Sequence, residues 1–105
     1  MPDYIAVYDL KSTNPDPYSM FIAEASKKGW SAFMWGPQAQ QWFHLPNTTL
    51  VGQFQSRQAA VQAFHATTAA TAAAIKIPVT VEKFLIAGYH DAEFNSDVRL
   101  APQAS

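Results

Sequence analysis

The sequence predicts an α+β domain in which a four-stranded antiparallel sheet carries two helices on one face. Three observations lead to this prediction. The chain has 105 residues, enough to enclose one hydrophobic core but not two. Hydrophobic residues make up 49% and charged residues 14%, a balance typical of a folded domain rather than a disordered one. Apolar residues recur with a period of two in some segments and at helical spacing in others, which indicates both strands and helices.

The first strand is predicted at residues 4–8, where aromatic and β-branched residues are concentrated. Both of its faces are largely apolar, which is typical of a central strand that is covered on both sides. The strand ends at Asp9. Asp16 followed by Pro17 is a favourable helix start, and apolar residues recur at helical spacing up to Gly29, which predicts the first helix.

The middle of the chain, residues 30–54, is crowded with bulky residues at a period of two and is predicted to form strands. A hairpin is expected here, with residues 48–54 as its returning strand, because this segment runs directly into the second helix. Its partner is either residues 31–35 or residues 42–45, and the pattern leaves both possibilities open.

The second helix is predicted to begin at Ser56, a good N-cap residue, and to continue to about Ile75 through an alanine-rich segment. The last strand follows at residues 79–87. Residues 91–105 are predicted to form a polar C-terminal tail, in which only residues 98–100 resemble a strand.

The order of these elements is strand, helix, strand, strand, helix, strand, which is the ferredoxin-like or split βαβ pattern (βαββαβ) and is expected over residues 1–90. In the predicted 4-1-3-2 sheet, the first and third strands run parallel in the middle. The end of the first strand is then expected beside residues 53–55 and beside the start of the last strand. Helices on one face leave aromatic residues on the other, so a homodimer is predicted.

Composition also limits the partners. The formal net charge is -1, so no general positive field attracts nucleic acid or an anionic membrane, and contact with nucleic acid has to be local. No basic leader and no run of about 18 apolar residues is found, which predicts a cytoplasmic protein that does not bind membranes. The chain has no cysteine, which excludes disulfides and thiolate metal sites.

Asp9 is the candidate catalytic and metal-binding residue, because a carboxylate directly after a central strand can bind a divalent cation. The alternative is that Asp9 only accepts hydrogen bonds in the turn that follows. The loop that starts at His90 also carries acidic residues, but it is expected at the opposite end of the sheet, about 17 Å away. Ligand or interface contacts are predicted for one tyrosine, three tryptophans and one histidine: Tyr8, Trp30, Trp35, Trp42 and His44.

The chain resembles the small ferredoxin-fold nucleases of CRISPR spacer acquisition and their relatives, the VapD toxins and the SinR-like proteins. Residues 4–10 (YIAVYDL) carry the shared feature, an apolar strand that ends in Tyr-Asp. The SinR-like group is the most similar, since it continues with a tyrosine-containing helix, here near Tyr18. Gly29-Trp30 and a hairpin rich in tryptophan and histidine, here residues 42–54, also match that group.

The resemblance implies a homodimer in which Asp9 of each subunit holds one magnesium ion that activates water for phosphodiester cleavage. The chain lacks the Ser-Val-Phe hairpin signature of the CRISPR members and has extra residues at 36–41. A non-catalytic derivative that acts by binding protein or nucleic acid is therefore a second hypothesis. Two alternatives are a dimeric α+β barrel of the monooxygenase type, with an organic ligand near His44 or His65, and a purely structural interaction module.

Overall fold

The computed structural model describes residues 1–102, which form an α+β fold with two helices and two antiparallel sheets. The strands are β1 (Asp3–Leu10), β2 (Trp30–Ser31), β3 (Phe33–Gly36), β4 (Gln41–His44), β5 (Thr49–Gln53), β6 (Val81–Tyr89) and β7 (Arg99–Leu100). The helices are α1 (Tyr18–Lys27) and α2 (Arg57–Ile75). Neither helix of residues 1–102 combines the length and hydrophobicity that a transmembrane span requires.

The first sheet has the strand order β2-β5-β1-β6, and every neighbouring pair is antiparallel. The prediction of parallel central strands is wrong, because β1 and β5 run in opposite directions with Asp3 opposite Gln53 and Val7 opposite Thr49. The physical reason is that α2 is the single crossover helix between β5 and β6. This helix spans the sheet, so β5 and β6 on either side of it run the same way, and both oppose β1.

Because the central strands are antiparallel, the end of β1 has different neighbours from those predicted. This end lies beside the start of β5 and not beside residues 53–55 as predicted. Its predicted position beside the start of the last strand is confirmed, since Leu10 lies opposite Val81.

The second sheet has the order β3-β4-β7 and contains most of both segments considered as partners for residues 48–54. Strand β5 pairs with Trp30 and Ser31, so the predicted partner 31–35 is confirmed only at its first residue. The Ser31 side chain explains the break, because its hydroxyl accepts a hydrogen bond from the Phe33 N–H at 3.0 Å and donates one to the Phe33 carbonyl at 2.9 Å. These two bonds turn the chain away from the first sheet, and β3 pairs with β4 as a separate hairpin.

The C-terminal part of the chain returns to this second sheet. Arg99, within the segment predicted to resemble a strand, lies opposite Phe43 of β4. Its guanidinium carbon is 4.3 Å from the centroid of the Phe43 ring, a favourable cation–π contact. Residues 103–105 of the predicted tail lie outside the described residues.

The core lies between the first sheet and the two helices. Alternate residues of β1 are buried on this side, and the Tyr8 ring lies 4.8 Å from Phe21 of α1 and 5.7 Å from Phe64 of α2, centroid to centroid. Both helices therefore pack on the same face. Strand β1 is an interior strand as predicted, but it is covered on both sides only in part, because Val7 and Asp9 on the other face are exposed.

The helix termini follow the local sequence. Ser56 caps α2 as predicted, since its side-chain oxygen accepts a hydrogen bond from the Ala59 N–H at 3.1 Å. Asp16 plays a comparable part for α1 by accepting a hydrogen bond from the Tyr18 N–H at 2.9 Å. Gly29, with a φ of 99°, follows α1 in a conformation that other residues rarely adopt.

Candidate functional site

The face of the first sheet opposite the helices, called the free face below, carries the candidate site. Residues directly opposite each other on neighbouring strands point to the same face, so the register assigns its side chains to rows. The free face consists of a row of Gln53, Asp3 and Tyr89, a row of Val51, Ile5 and Ala87, a row of Thr49, Val7 and Leu85, and a last row of Asp9 and Lys83.

Asp9 is exposed at one end of the free face, directly opposite Lys83 of β6. The two side chains do not form an ion pair. Within residues 1–102, the only ion pair joins Lys27 and Glu24 at 3.3 Å. The register shifts between Asp9 and Leu10, which makes Glu82 an extra residue in the edge strand. Both Asp9 and Lys83 are therefore available to charges on another molecule.

These residues do not by themselves fit a magnesium ion. No group of three or more histidine, aspartate or glutamate side chains in residues 1–102 is close enough to hold a metal. The side chain opposite Asp9 belongs to Lys83, and its positive charge opposes the binding of a cation. Asp9 would need further donors from a second molecule to hold such an ion.

The other end of the free face is partly covered by the second sheet. Between the two sheets lies an open groove with a cavity volume of about 490 Å³. Asp3, Gln53 and Tyr89 line it from the first sheet, and Trp35 and Trp42 line it from the second. The two indoles pack edge to face with centroids 5.1 Å apart. A volume of this size is in the range of small-molecule sites.

The polar side chains of the groove carry a negative charge that no basic residue neutralises. Oδ1 of Asp3 accepts a hydrogen bond from Nε2 of Gln53 at 3.2 Å, and no lysine, arginine or histidine among residues 1–102 forms an ion pair with Asp3. Burial, and then the charge of Asp3, raise the pKa of the Tyr89 hydroxyl above its usual value. Tyr89 therefore remains a neutral phenol that can donate a hydrogen bond.

The predicted contact residues lie in three different environments. Tyr8 and Trp30 are 2% and 1% exposed and belong to the core between helices and sheet, so neither lies on the surface. Trp35 and Trp42 line the groove. His44 packs edge to face on Phe33 within the second sheet, with centroids 5.0 Å apart. The tryptophans thus divide between core and groove.

The separation of His90 from Asp9 is confirmed, because His90 follows Tyr89, which lies opposite Asp3 at the far end of β1. The sequence prediction missed the row of Gln53, Asp3 and Tyr89. Each of these residues ends or begins a different strand, and no local motif connects them. A prediction with β1 antiparallel to both of its neighbours would have placed these three residues in one row.

No family model, no curated protein and no solved structure matches the chain. Its function is therefore inferred from its own residues and their geometry.

Proposed function

We propose that the chain forms a homodimer through the uncovered end of the free face and acts by binding rather than by catalysis. The observation that carries this proposal is the pair Val7 and Leu85, which lie side by side and are 42% and 63% exposed. Apolar side chains that are adjacent on a flat strand surface gain free energy when a second surface covers them. They form an apolar patch that the chain itself leaves open.

The charges next to this patch support a symmetric partner. In a two-fold dimer each patch meets its own copy, so an acidic and a basic residue in one row can pair reciprocally. Asp9 would then contact the partner's Lys83, and Lys83 the partner's Asp9. This arrangement neutralises two charges that have no ion-pair partner within the described residues and directs the apolar residues onto each other.

We further propose a ferredoxin-like split βαβ arrangement for β1, α1, β2, β5, α2 and β6. The order of these strands in the first sheet is compatible with the 4-1-3-2 pattern if β3 and β4 count as an insertion between the second and third strands.

The nuclease hypothesis differs in the partner of Asp9. A shared magnesium site needs Asp9 to face the partner's Asp9, and the neighbouring Lys83 opposes this arrangement. The hypothesis of a monooxygenase-type barrel needs room between helices and sheet. The rings of Tyr8, Phe21 and Phe64 occupy that space, which favours the interaction protein.

Sedimentation equilibrium of four proteins tests the charge pairing. The wild type is expected to dimerise at micromolar concentration, and Asp9→Lys or Lys83→Asp alone should weaken the dimer by about tenfold or more, because each creates like-charge contacts at two symmetric positions. The double variant Asp9→Lys/Lys83→Asp restores complementary charges and should dimerise like the wild type. Glu93→Lys, a charge reversal in the exposed loop after β6, serves as the control.

A monomeric wild type would refute the dimer, and a double variant as weak as the single ones would refute the pairing. Cleavage assays with labelled RNA and DNA in magnesium or manganese test the catalytic hypothesis. We expect no cleavage. Magnesium-dependent cleavage that disappears in Asp9→Asn would overturn the conclusion that the protein acts by binding alone.

A further inference from the structure

The groove between the two sheets combines two features that attract the same kind of ligand. Its polar side holds the Asp3 carboxylate, which has no basic partner among the described residues. Its opposite side is built from the indoles of Trp35 and Trp42, whose ring faces carry negative electrostatic potential. Both features favour a positive charge, and the rings also favour apolar surface next to it.

We propose that this groove binds an alkylated ammonium group. Aromatic rings around a carboxylate are the arrangement that recognises methylated ammonium ions, because such an ion is too weakly hydrated to prefer water strongly and too apolar for a simple ion pair. The cavity of about 490 Å³ is large enough for such a molecule.

The hydrogen bonds in the groove leave the carboxylate available. Gln53 donates to only one oxygen of Asp3, and its amide orients the carboxylate without neutralising it. Tyr89, which lies opposite Asp3, adds a neutral hydroxyl that can bind a polar group of the ligand. The groove therefore offers charge, aromatic surface and one hydrogen-bonding group within a single cavity.

The proposed site is independent of the proposed dimer contact. Asp3 and Asp9 lie at opposite ends of β1, about 20 Å apart at the usual rise of a strand. The dimer contact uses Val7, Leu85 and the last row of the free face, whereas the groove lies under the second sheet. Ligand binding and dimerisation can therefore fail separately.

The test compares choline with 3,3-dimethyl-1-butanol, a neutral molecule of nearly the same shape, by isothermal titration calorimetry. Choline is expected to bind at least about tenfold more tightly than the neutral molecule. Asp3→Asn keeps the shape and the oxygen that accepts from Gln53, and it should reduce choline affinity by about tenfold without affecting the alcohol. Glu82→Gln removes an exposed acid at the other end of β6 and should bind choline like the wild type.

Nuclear magnetic resonance locates the binding. Each tryptophan gives one indole N–H signal, and choline should shift those of Trp35 and Trp42 but leave that of the buried Trp30 unchanged. If Asp3→Asn does not fold, Trp42→Leu at the partly exposed edge of the groove is the second variant, and it should lose choline binding.

Two further results would overturn the proposal: equal affinity for choline and the alcohol, or no choline binding by the folded wild type. A short peptide with trimethyllysine, titrated in parallel, distinguishes the two sources of such an ammonium group. Tighter binding of the peptide assigns the group to a modified protein, and tighter binding of choline assigns it to a free metabolite. Either result supports the proposal only if Asp3→Asn also lowers the affinity for the ligand that binds more tightly.

Discussion

The hydroxyl of Tyr18 bonds to both backbone groups of Leu10: it accepts a hydrogen bond from the N–H at 2.9 Å and donates one to the carbonyl at 3.0 Å. Leu10 extends past the last register pair of β1 and β5, in which Val7 lies opposite Thr49. No strand is present there to form these two bonds. One phenol therefore replaces the missing strand and joins the start of α1 to the end of β1.

Tyr18→Phe is expected to lower the free energy of unfolding by about 1–2 kcal/mol, because two partly buried backbone groups lose their partner. Urea unfolding measures this loss. Tyr4→Phe is the matched control, since the Tyr4 hydroxyl makes no hydrogen bond within residues 1–102 and its removal should change stability much less. Equal effects of the two substitutions would show that the Leu10 bonds contribute nothing.

Alkaline pH should destabilise the protein through Tyr8. Burial, with a smaller contribution from nearby Tyr18, raises the pKa of Tyr8 from 10.0 to about 12. The unfolded chain ionises near the lower value, so the contribution of the neutral Tyr8 is fully present below pH 10 and is lost as the pH rises toward 12. In this window the wild type should lose stability more steeply than Tyr8→Phe, by up to about 1.4 kcal/mol per pH unit.

Urea unfolding of both proteins on either side of this pH window measures the difference. Parallel losses of stability in wild type and Tyr8→Phe would contradict the assignment to Tyr8.

Two glycines lie on the strands that flank β1, Gly52 on β5 and Gly88 on β6, and their substitution by alanine should change stability differently. A Cβ atom at Gly52 would collide with the carbonyl oxygen of Gly29 and approach the Phe54 ring to 2.8 Å. At Gly88 the nearest atom belongs to the Tyr4 ring at 3.5 Å, an ordinary contact. Gly52→Ala should therefore destabilise the protein by about 2 kcal/mol or more.

Gly88→Ala should be neutral or stabilising by up to about 1 kcal/mol, because it reduces the entropy of the unfolded chain. Thermal unfolding of both variants tests the contrast. If the two variants unfold at the same temperature, the backbone at Gly52 does not lie as close to the Gly29 carbonyl as in this structure.

The start of α2 depends on the hydroxyl of Ser56. Ser56→Ala should lower the free energy of unfolding by about 1 kcal/mol, since the Ala59 N–H loses its acceptor. Ser56→Asp supplies another acceptor and a negative charge near the helix N-terminus, so it should retain the stability of the wild type. Chemical denaturation of the three proteins tests both expectations, and a loss in Ser56→Asp equal to that in Ser56→Ala would argue against the cap.

The two helices and the first and last strands of the first sheet along the chain, β1 and β6, could be predicted because their signals are local. Apolar spacing and the Ser56 cap locate α2 to within a residue, and the aromatic and β-branched run locates β1. The middle of the chain could not be predicted in the same way. Its bulky residues satisfy a period of two in either sheet, and the Ser31 hydroxyl that turns the chain out of the first sheet has no distinctive sequence pattern.

The candidate site shows the same division. Asp9 is predictable as an exposed carboxylate because it follows an apolar run, but the prediction that the strand ends there is wrong, since β1 continues to Leu10 and Asp9 lies within it. Asp3, Gln53 and Tyr89 were not identified, because their proximity depends on the antiparallel direction of the central strands, which was predicted incorrectly. Trp30 and Trp35 are close in sequence, yet one lies in the core and the other in the groove.

Residue order alone determined both helices and the strands β1 and β6, because hydrophobic spacing and capping act over a few residues. Tertiary structure decided which strands are neighbours, which way they run and which side chains share a face. These properties follow from how α2 spans the sheet and how the second hairpin packs on it, and both depend on contacts between residues distant in the chain. The Asp3 groove and the open Val7–Leu85 patch exist only as a result of that packing.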